Sequence, residues 1–187
     1  MKAVVLLSNG IDSPVAAHMM KAKGLELVFL NLNMGSGKGQ LERLKCNVSP
    51  DSELITIDFL PIIKEISNAN SRYTCILCKR AMLRKAQEIA FEKGAEAIVT
   101  GENLGQVASQ TLGNLGVIDA AVSIPVLRPL LCLDKAEIIE RAREIGTYDI
   151  SIEKNKSCKF VPKQPVTKAK LKYIEKEESL VNNIDLP

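Results

Sequence analysis

Ser8-Asn9-Gly10-Ile11-Asp12-Ser13 follows directly on the apolar run Lys2–Leu7 and leads into a helical pattern. Small, hydroxyl-bearing residues at a strand–loop–helix junction turn the backbone tightly. They aim several N–H groups and the positive end of a helix dipole at one point, which suits a phosphate. Asp12 cannot attract phosphate by its own charge, so its role there is to hold Mg2+, directly or through water, or to cap the helix. Cys75-x-x-Cys78 opens a second helical pattern, where a helix N-terminus favours thiolate. Next to it, Lys79 and Arg80 are both able to offset charge building on a phosphate. The run Gly35-Ser36-Gly37-Lys38-Gly39 has neither P-loop nor dinucleotide-loop spacing and reads as a flexible loop. His18 is the sole histidine, which argues against imidazole acid–base chemistry. Cys46 and Cys132 sit among apolar neighbours and read as core thiols.

Apolar runs predict strands over Lys2–Leu7, Glu26–Asn33, Glu53–Asp58, Glu96–Thr100 and, more weakly, Ile124–Leu127. Between them, helices are predicted over Ser13–Lys23, Gln40–Lys45, Leu60–Asn70, Leu77–Lys93, Val107–Leu115 and Lys135–Ile145, with a last polar helix over Thr167–Ser179. Strands alternating with helices of this length imply a doubly wound parallel five-stranded sheet, three layers α/β/α. In such folds ligands bind beyond the carboxyl ends of the strands, where the strand order reverses. The 8–13 loop, Asn31–Asn33 and Gly101-Glu102 all fall at that edge. Gly101, without a side chain, allows the backbone to approach a ligand there.

The chain of 187 residues reads as one domain, a core over 1–150 and a lysine-rich segment over 151–187. The initial apolar run is too short for a secretion signal, and no membrane span is evident, so the expected location is the cytoplasm. There the five cysteines are thiols, metal ligands or redox groups rather than a disulfide framework. The net charge of +3 does not by itself indicate a nucleic-acid binder. From Lys154 to Lys176, however, eight lysines face the single acid Glu175, a stretch able to pair with phosphates or simply to remain solvated.

The 8–13 hexapeptide resembles the S-G-G-x-D-S signature of the PP-loop ATP pyrophosphatases, with Asn9 in place of the usual second-position glycine. Asn tolerates positive φ better than other non-glycine residues, so the loop is expected to form. Three further blocks resemble the tRNA 4-thiouridine synthetase (thiamine-pathway sulfurtransferase) family within that superfamily: Cys78–Arg84, Thr100–Leu112, and Leu127–Leu130 with Asp134-Lys135 and Ile145–Thr147.

The resemblance implies an adenine-nucleotide alpha-hydrolase-like (Rossmann-like) fold and an ATP-dependent sulfurtransferase. It would adenylate a carbonyl oxygen, most readily that of a tRNA uridine, release pyrophosphate, and replace AMP by sulfur. Adenylation of a small molecule or a sulfur-carrier protein, and a non-catalytic nucleotide-binding or iron–sulfur module, are the alternatives. ATP contacts are implied at Leu7, Ser8, Asn9, Gly10, Asp12 and Ser13, at Asn31 and Leu32, at Lys79 or Arg80, and at Gly101 and Gln110. Catalytic roles fall on Asp12 and Cys158. Cys75, Cys78 and Cys158 are implied as ligands of an iron–sulfur cluster, with Zn2+ or a redox or persulfide relay as alternatives. The family's RNA-binding region and the rhodanese domain of some members are not expected in this chain. A separate RNA-binding partner for tRNA, a sulfur donor and a homodimer are therefore expected.

Overall fold

Val4 and Val5 are both fully buried, as a strand covered on its two faces requires. They belong to β1 (Lys2–Leu6), the centre of a five-stranded sheet in the computed structural model, which describes residues 1–35, 38–68, 72–153 and 158–181. The other strands are β2 (Glu26–Asn33), β3 (Leu54–Asp58), β4 (Ala97–Val99) and β5 (Val126–Leu127). Their order is β3-β2-β1-β4-β5, and every pairing is parallel. The order reverses between β1 and β4, so the crevice of this doubly wound sheet opens where the chain leaves Leu6 and Val99.

Side chains of β1 alternate between two cores. Ala3, Val5 and Leu7 join the layer of α1 (Asp12–Ala22), α2 (Lys38–Val48), α6 (Lys135–Glu144) and α7 (Tyr148–Ser151). Val4 joins the layer of α3 (Leu60–Asn68), α4 (Thr74–Glu92), α5 (Leu112–Asp119) and α8 (Leu171–Leu180). Among the described residues no helix is long and apolar enough to cross a membrane.

The strands and most helices fall within a few residues of their sequence assignments. Lys38 and Gly39 already belong to α2. Ser36 and Gly37 of the glycine run, the predicted helical residues Ala69 and Asn70, and Lys154 and Lys156 of the lysine-rich stretch lie outside the described residues. The helix expected over Val107–Leu115 instead begins at Leu112. Thr111 caps it, its side chain accepting from Asn114 N, while Gly105 at φ +75° and the Gly105 N to Gln110 O hydrogen bond loop the preceding segment. The last helix begins at Leu171 rather than Thr167, because Val166 and Ala169 are held by Asn114 in an arm along α5. The short α7 follows Gly146 without a periodic apolar signal.

Cys46 and Cys132 are exposed, not core. Leu41, Leu44 and Val48 bury one face of α2 and leave Cys46 on the other. Cys132 follows the buried Leu130 in a tight turn closed by Leu133 N to Leu130 O.

Candidate functional site

At the β1/β4 reversal lies a cleft of about 270 Å³. It is lined by Ser8, Gly10, Asp12, Ser13, Lys79, Gly101 and Gln110 of the sequence candidates, joined by Thr100, Glu102, Met82 and apolar side chains beneath. The 8–13 loop is braced by its own hydroxyls. Ser13 Oγ accepts from Ser8 N at 2.9 Å and lies 3.0 Å from Ser8 Oγ, which accepts from Gly10 N at 3.2 Å. Asp12 does not cap α1: Ile11 occupies that position, and Asp12 is the first helical residue, its carboxylate paired with Lys135 Nζ of α6.

Gly101 serves a closer contact than the one expected. A Cβ there would stand 2.7 Å from Ser13 N and 2.8 Å from the Asp12 carbonyl carbon, so the absent side chain admits the start of α1 itself. Leu7 and Leu32 are buried in the cores on opposite faces of the sheet and do not line the cleft. Asn31 Nδ2 donates to Leu7 O at 2.9 Å, tying β2 to the end of β1. The buried amide oxygens Asn31 Oδ1 and Gln110 Oε1 have no hydrogen-bond partner among the described residues. Such acceptors are costly unless a ligand supplies a donor.

Lys79 Nζ donates to Glu102 Oε1 at 2.6 Å, and Arg128 Nε to Glu102 Oε2 at 2.8 Å. Burial alone would raise the Glu102 carboxyl pKa; Lys79 and Arg128 outweigh it and hold the group below the ordinary carboxylate value. Arg128 is anchored in turn by Asp119 through bonds of 2.9 and 2.6 Å. Glu102, Lys135 and Arg128 were not singled out by residue type in the sequence, although each lies within a block carrying the family resemblance.

Arg80 does not line the cleft. Its side chain, 2% exposed with its residue, runs under α8, where Nε and Nη2 grip Glu178 at 2.7 and 2.9 Å and Nη1 donates to Val117 O. Arg84 makes two more bonds to Glu178, of 2.9 and 2.8 Å. Of the two adjacent bases only Lys79 faces the cleft; Arg80 anchors the C-terminal helix.

A second, apolar chamber of about 290 Å³ brings Cys75, Cys78 and Cys158 together. It shares Lys79 and Met82 with the first cleft, so the two are neighbours across one wall. Contrary to the thiolate expected at a helix N-terminus, burial, reinforced by Cys158 and by the other member of the pair, pushes Cys78 up to about 12. Burial and Cys158 also raise Cys75, and Lys79 opposes this only in part. Desolvation outweighs the helix end here. Among the described residues no three His, Cys, Asp or Glu donors stand ready-made around one ion, but three thiols sharing one chamber are a donor set suited to iron–sulfur or zinc.

Asn114 ties both sites to the C-terminal arm. Fully buried, it donates through Nδ2 to Ala108 O and Val166 O, both at 2.8 Å, and accepts from Ala169 N at 2.9 Å. Ala108 belongs to the loop bearing Gln110, and the arm that contains Val166 and Ala169 also bears Cys158.

A solved 4-thiouridine synthetase, in complex with RNA and bound ATP, superposes with a TM-score of 0.91 at 38% identity, over 98% of this chain and 51% of that one. A probable tRNA sulfurtransferase of Methanocaldococcus jannaschii is 45% identical over 184 residues, 94% of this chain and 48% of that protein. A second, from Finegoldia magna, is 41% identical over 99% of this chain and 49% of its own length. The chain thus spans about half the length of the curated relatives it matches. An NMN synthetase from Francisella tularensis, 17% identical with a TM-score of 0.63, shares the fold. The model of the thiamine biosynthesis protein (ThiI) family matches residues 1–183, and the chain belongs to that family.

Proposed function

We propose that this chain carries the catalytic centre of a cytoplasmic ATP-dependent tRNA sulfurtransferase, which adenylates a uridine carbonyl oxygen and exchanges the adenylate for sulfur. The observation that carries this reading is the shared wall. Lys79 and Met82 border both the cleft at the strand-order reversal and the chamber of Cys75, Cys78 and Cys158, so activation and sulfur delivery are side by side. The relatives named for tRNA sulfur transfer, and the solved relative bound to ATP and RNA, support it.

ATP would lie with its phosphates over the 8–13 loop at the start of α1, where loop N–H groups and the helix dipole offset their charge. The orphaned Gln110 Oε1 in the cleft, and Asn31 Oδ1 behind it, fit a ligand bearing N–H or O–H donors, as adenine and ribose do. Asp12, which lines the cleft and pairs with Lys135, would hold Mg2+, which would screen phosphate charge when bound. Lys79, oriented by Glu102, would offset the charge that builds on the α-phosphate as the acceptor oxygen attacks. The carbonyl oxygen displaces pyrophosphate from the α-phosphorus, and a sulfur nucleophile then displaces AMP. That nucleophile is sulfide from the donor, or the outer sulfur of a persulfide that a sulfane-sulfur donor places on the exposed Cys158; in the second case Cys75 or Cys78 then breaks the S–S bond, and an external dithiol reduces the resulting disulfide. In the first case Cys158, Cys75 and Cys78 would hold an iron–sulfur cluster or zinc, which would keep the thiols deprotonated despite their burial.

The test is production of AMP, pyrophosphate and thiolated tRNA from ATP, a sulfide donor and an unmodified tRNA transcript. Turnover that requires tRNA and disappears in Asp12→Ala is expected; turnover undiminished in that variant refutes the mechanism. The family's link to thiamine biosynthesis favours a second reading, in which a small molecule or a sulfur-carrier terminus is the acceptor. Pyrophosphate release indifferent to tRNA but stimulated by such an acceptor would select it.

A further inference from the structure

Beside the thiol chamber lies an open groove of about 540 Å³ that none of the steps above uses. Among the described residues its charged lining is Arg72, Lys159 and Lys163, with no acid, and Ser67, Thr74 and Gln164 add neutral polar groups. Lys159 and Lys163 are exposed, and Arg72 stands exposed just ahead of α4. Thr74, Phe160 and Val161 line both the groove and the thiol chamber. Three compartments therefore run in series: the nucleotide cleft, the apolar thiol chamber, and a cationic groove open to solvent.

We infer that this groove holds the RNA-backbone phosphate adjoining the nucleotide to be modified, with Lys159, Lys163 and Arg72 as its cations. The inference rests on the tRNA reading and names a subsite for it. A base presented to chemistry leaves its stack, and its own phosphate must then sit within a few ångströms of the pocket that receives it. An apolar chamber with the aromatic Phe160 in its wall suits an unstacked base; an acid-free groove across that wall suits the phosphate. Segregation of apolar and cationic linings across a shared wall is the pattern a nucleotide presents, and an acidic peptide would not require it.

The experiment compares the full chain with Lys159→Glu/Lys163→Glu, both surface positions outside the nucleotide cleft. Binding of a fluorescent unmodified tRNA transcript is followed by anisotropy across a salt series, ATP binding by calorimetry, and pyrophosphate release and sulfur incorporation in parallel. We expect at least a tenfold loss of tRNA affinity and a salt slope smaller by about 0.7, the value for the one single-strand phosphate no longer neutralised, with ATP affinity unchanged. Equal tRNA affinity and slope in both proteins overturns the subsite while leaving the tRNA reading intact. No tRNA binding or tRNA-dependent turnover by the wild-type chain overturns both. Loss of sulfur incorporation alone, with tRNA binding and pyrophosphate release preserved, overturns the inference in favour of an acidic protein donor.

Discussion

Asp12, the first residue of α1, is ion-paired with Lys135, the first residue of α6, across 123 positions of sequence. Of the pair, Asp12 lines the cleft beside the 8–13 loop. A partly exposed pair of this kind contributes less than about 1 kcal/mol to stability. A charge aimed at a reacting phosphate is worth about 100-fold or more in rate. Asp12→Asn and Lys135→Met are therefore each expected to leave the melting temperature almost unchanged and to lower pyrophosphate release by about 100-fold. A large drop in melting temperature with activity retained would assign the pair to the fold alone.

Glu102 holds Lys79 at 2.6 Å from below the cleft. Charge-assisted hydrogen bonds of this type are worth about 1.5–3 kcal/mol. Glu102→Gln is expected to raise the KM for ATP about tenfold or more by releasing Lys79, and steady-state kinetics will show it. Lys79→Ala in the same background should add little, because the two act as one unit.

Glu178 is the counter-charge to both Arg80 and Arg84. Removing it leaves the Arg80 guanidinium buried without its carboxylate, and Glu178→Ala is expected to cost about 3 kcal/mol in urea unfolding. Burial alone would raise the Glu178 carboxyl pKa, but the two arginines hold it below its ordinary 4.5. The stabilisation it brings is therefore present above its unfolded pKa and is lost as pH falls through the lower folded value. Stability of the wild type should decline with acid below about pH 4.5 more steeply than that of Glu178→Gln.

A methyl group at position 101 would meet the α1 backbone at 2.7 to 2.9 Å, and backbone yields less readily than a side chain. Gly101→Ala is expected to cost about 1–3 kcal/mol and to weaken ATP binding by moving the 8–13 loop. Calorimetric ATP titration alongside thermal unfolding measures both.

The thiols differ in readiness to react. Cys158 is exposed, whereas Cys78 is buried with its pKa pushed up to about 12. With iodoacetamide at pH 8, peptide mapping is expected to find Cys46, Cys132 and Cys158 modified first, Cys75 later and Cys78 last. Raising the pH from 8 to 10 should accelerate Cys78 modification well past the point where an ordinary thiol levels off. A Cys78 that reacts as fast as Cys158 would show that the chamber opens in solution.

The sheet was readable because β1 and β2 carry the apolar runs Ala3–Leu6 and Leu27–Leu30, and Gly24 and Gly94, both at positive φ, mark helix ends. The 8–13 loop and Gly101 converge as their places at strand ends imply. Sequence could not decide between Lys79 and Arg80: adjacent helical residues differ by about 100° in direction, and the outcome depends on Glu178, 98 residues away. The start of α5 was missed because its apolar periodicity runs back through Val107, while capping by Thr111 and the positive φ of Gly105 set the boundary. The thiol state was misjudged because a helix terminus is visible in sequence, whereas the loss of water around Cys78 depends on Met34, Ile63 and Phe160 arriving from other elements.

One carboxamide, that of Asn114, is shared by stretches 52 and 55 positions downstream and by the turn just before its own helix. It cannot rotate to suit one of them without deserting the others. Aspartate there would forfeit both donated bonds, and leucine all three. The glutamine-bearing turn and the cysteine-bearing strip thus hang on one amide, a link that bypasses the sheet.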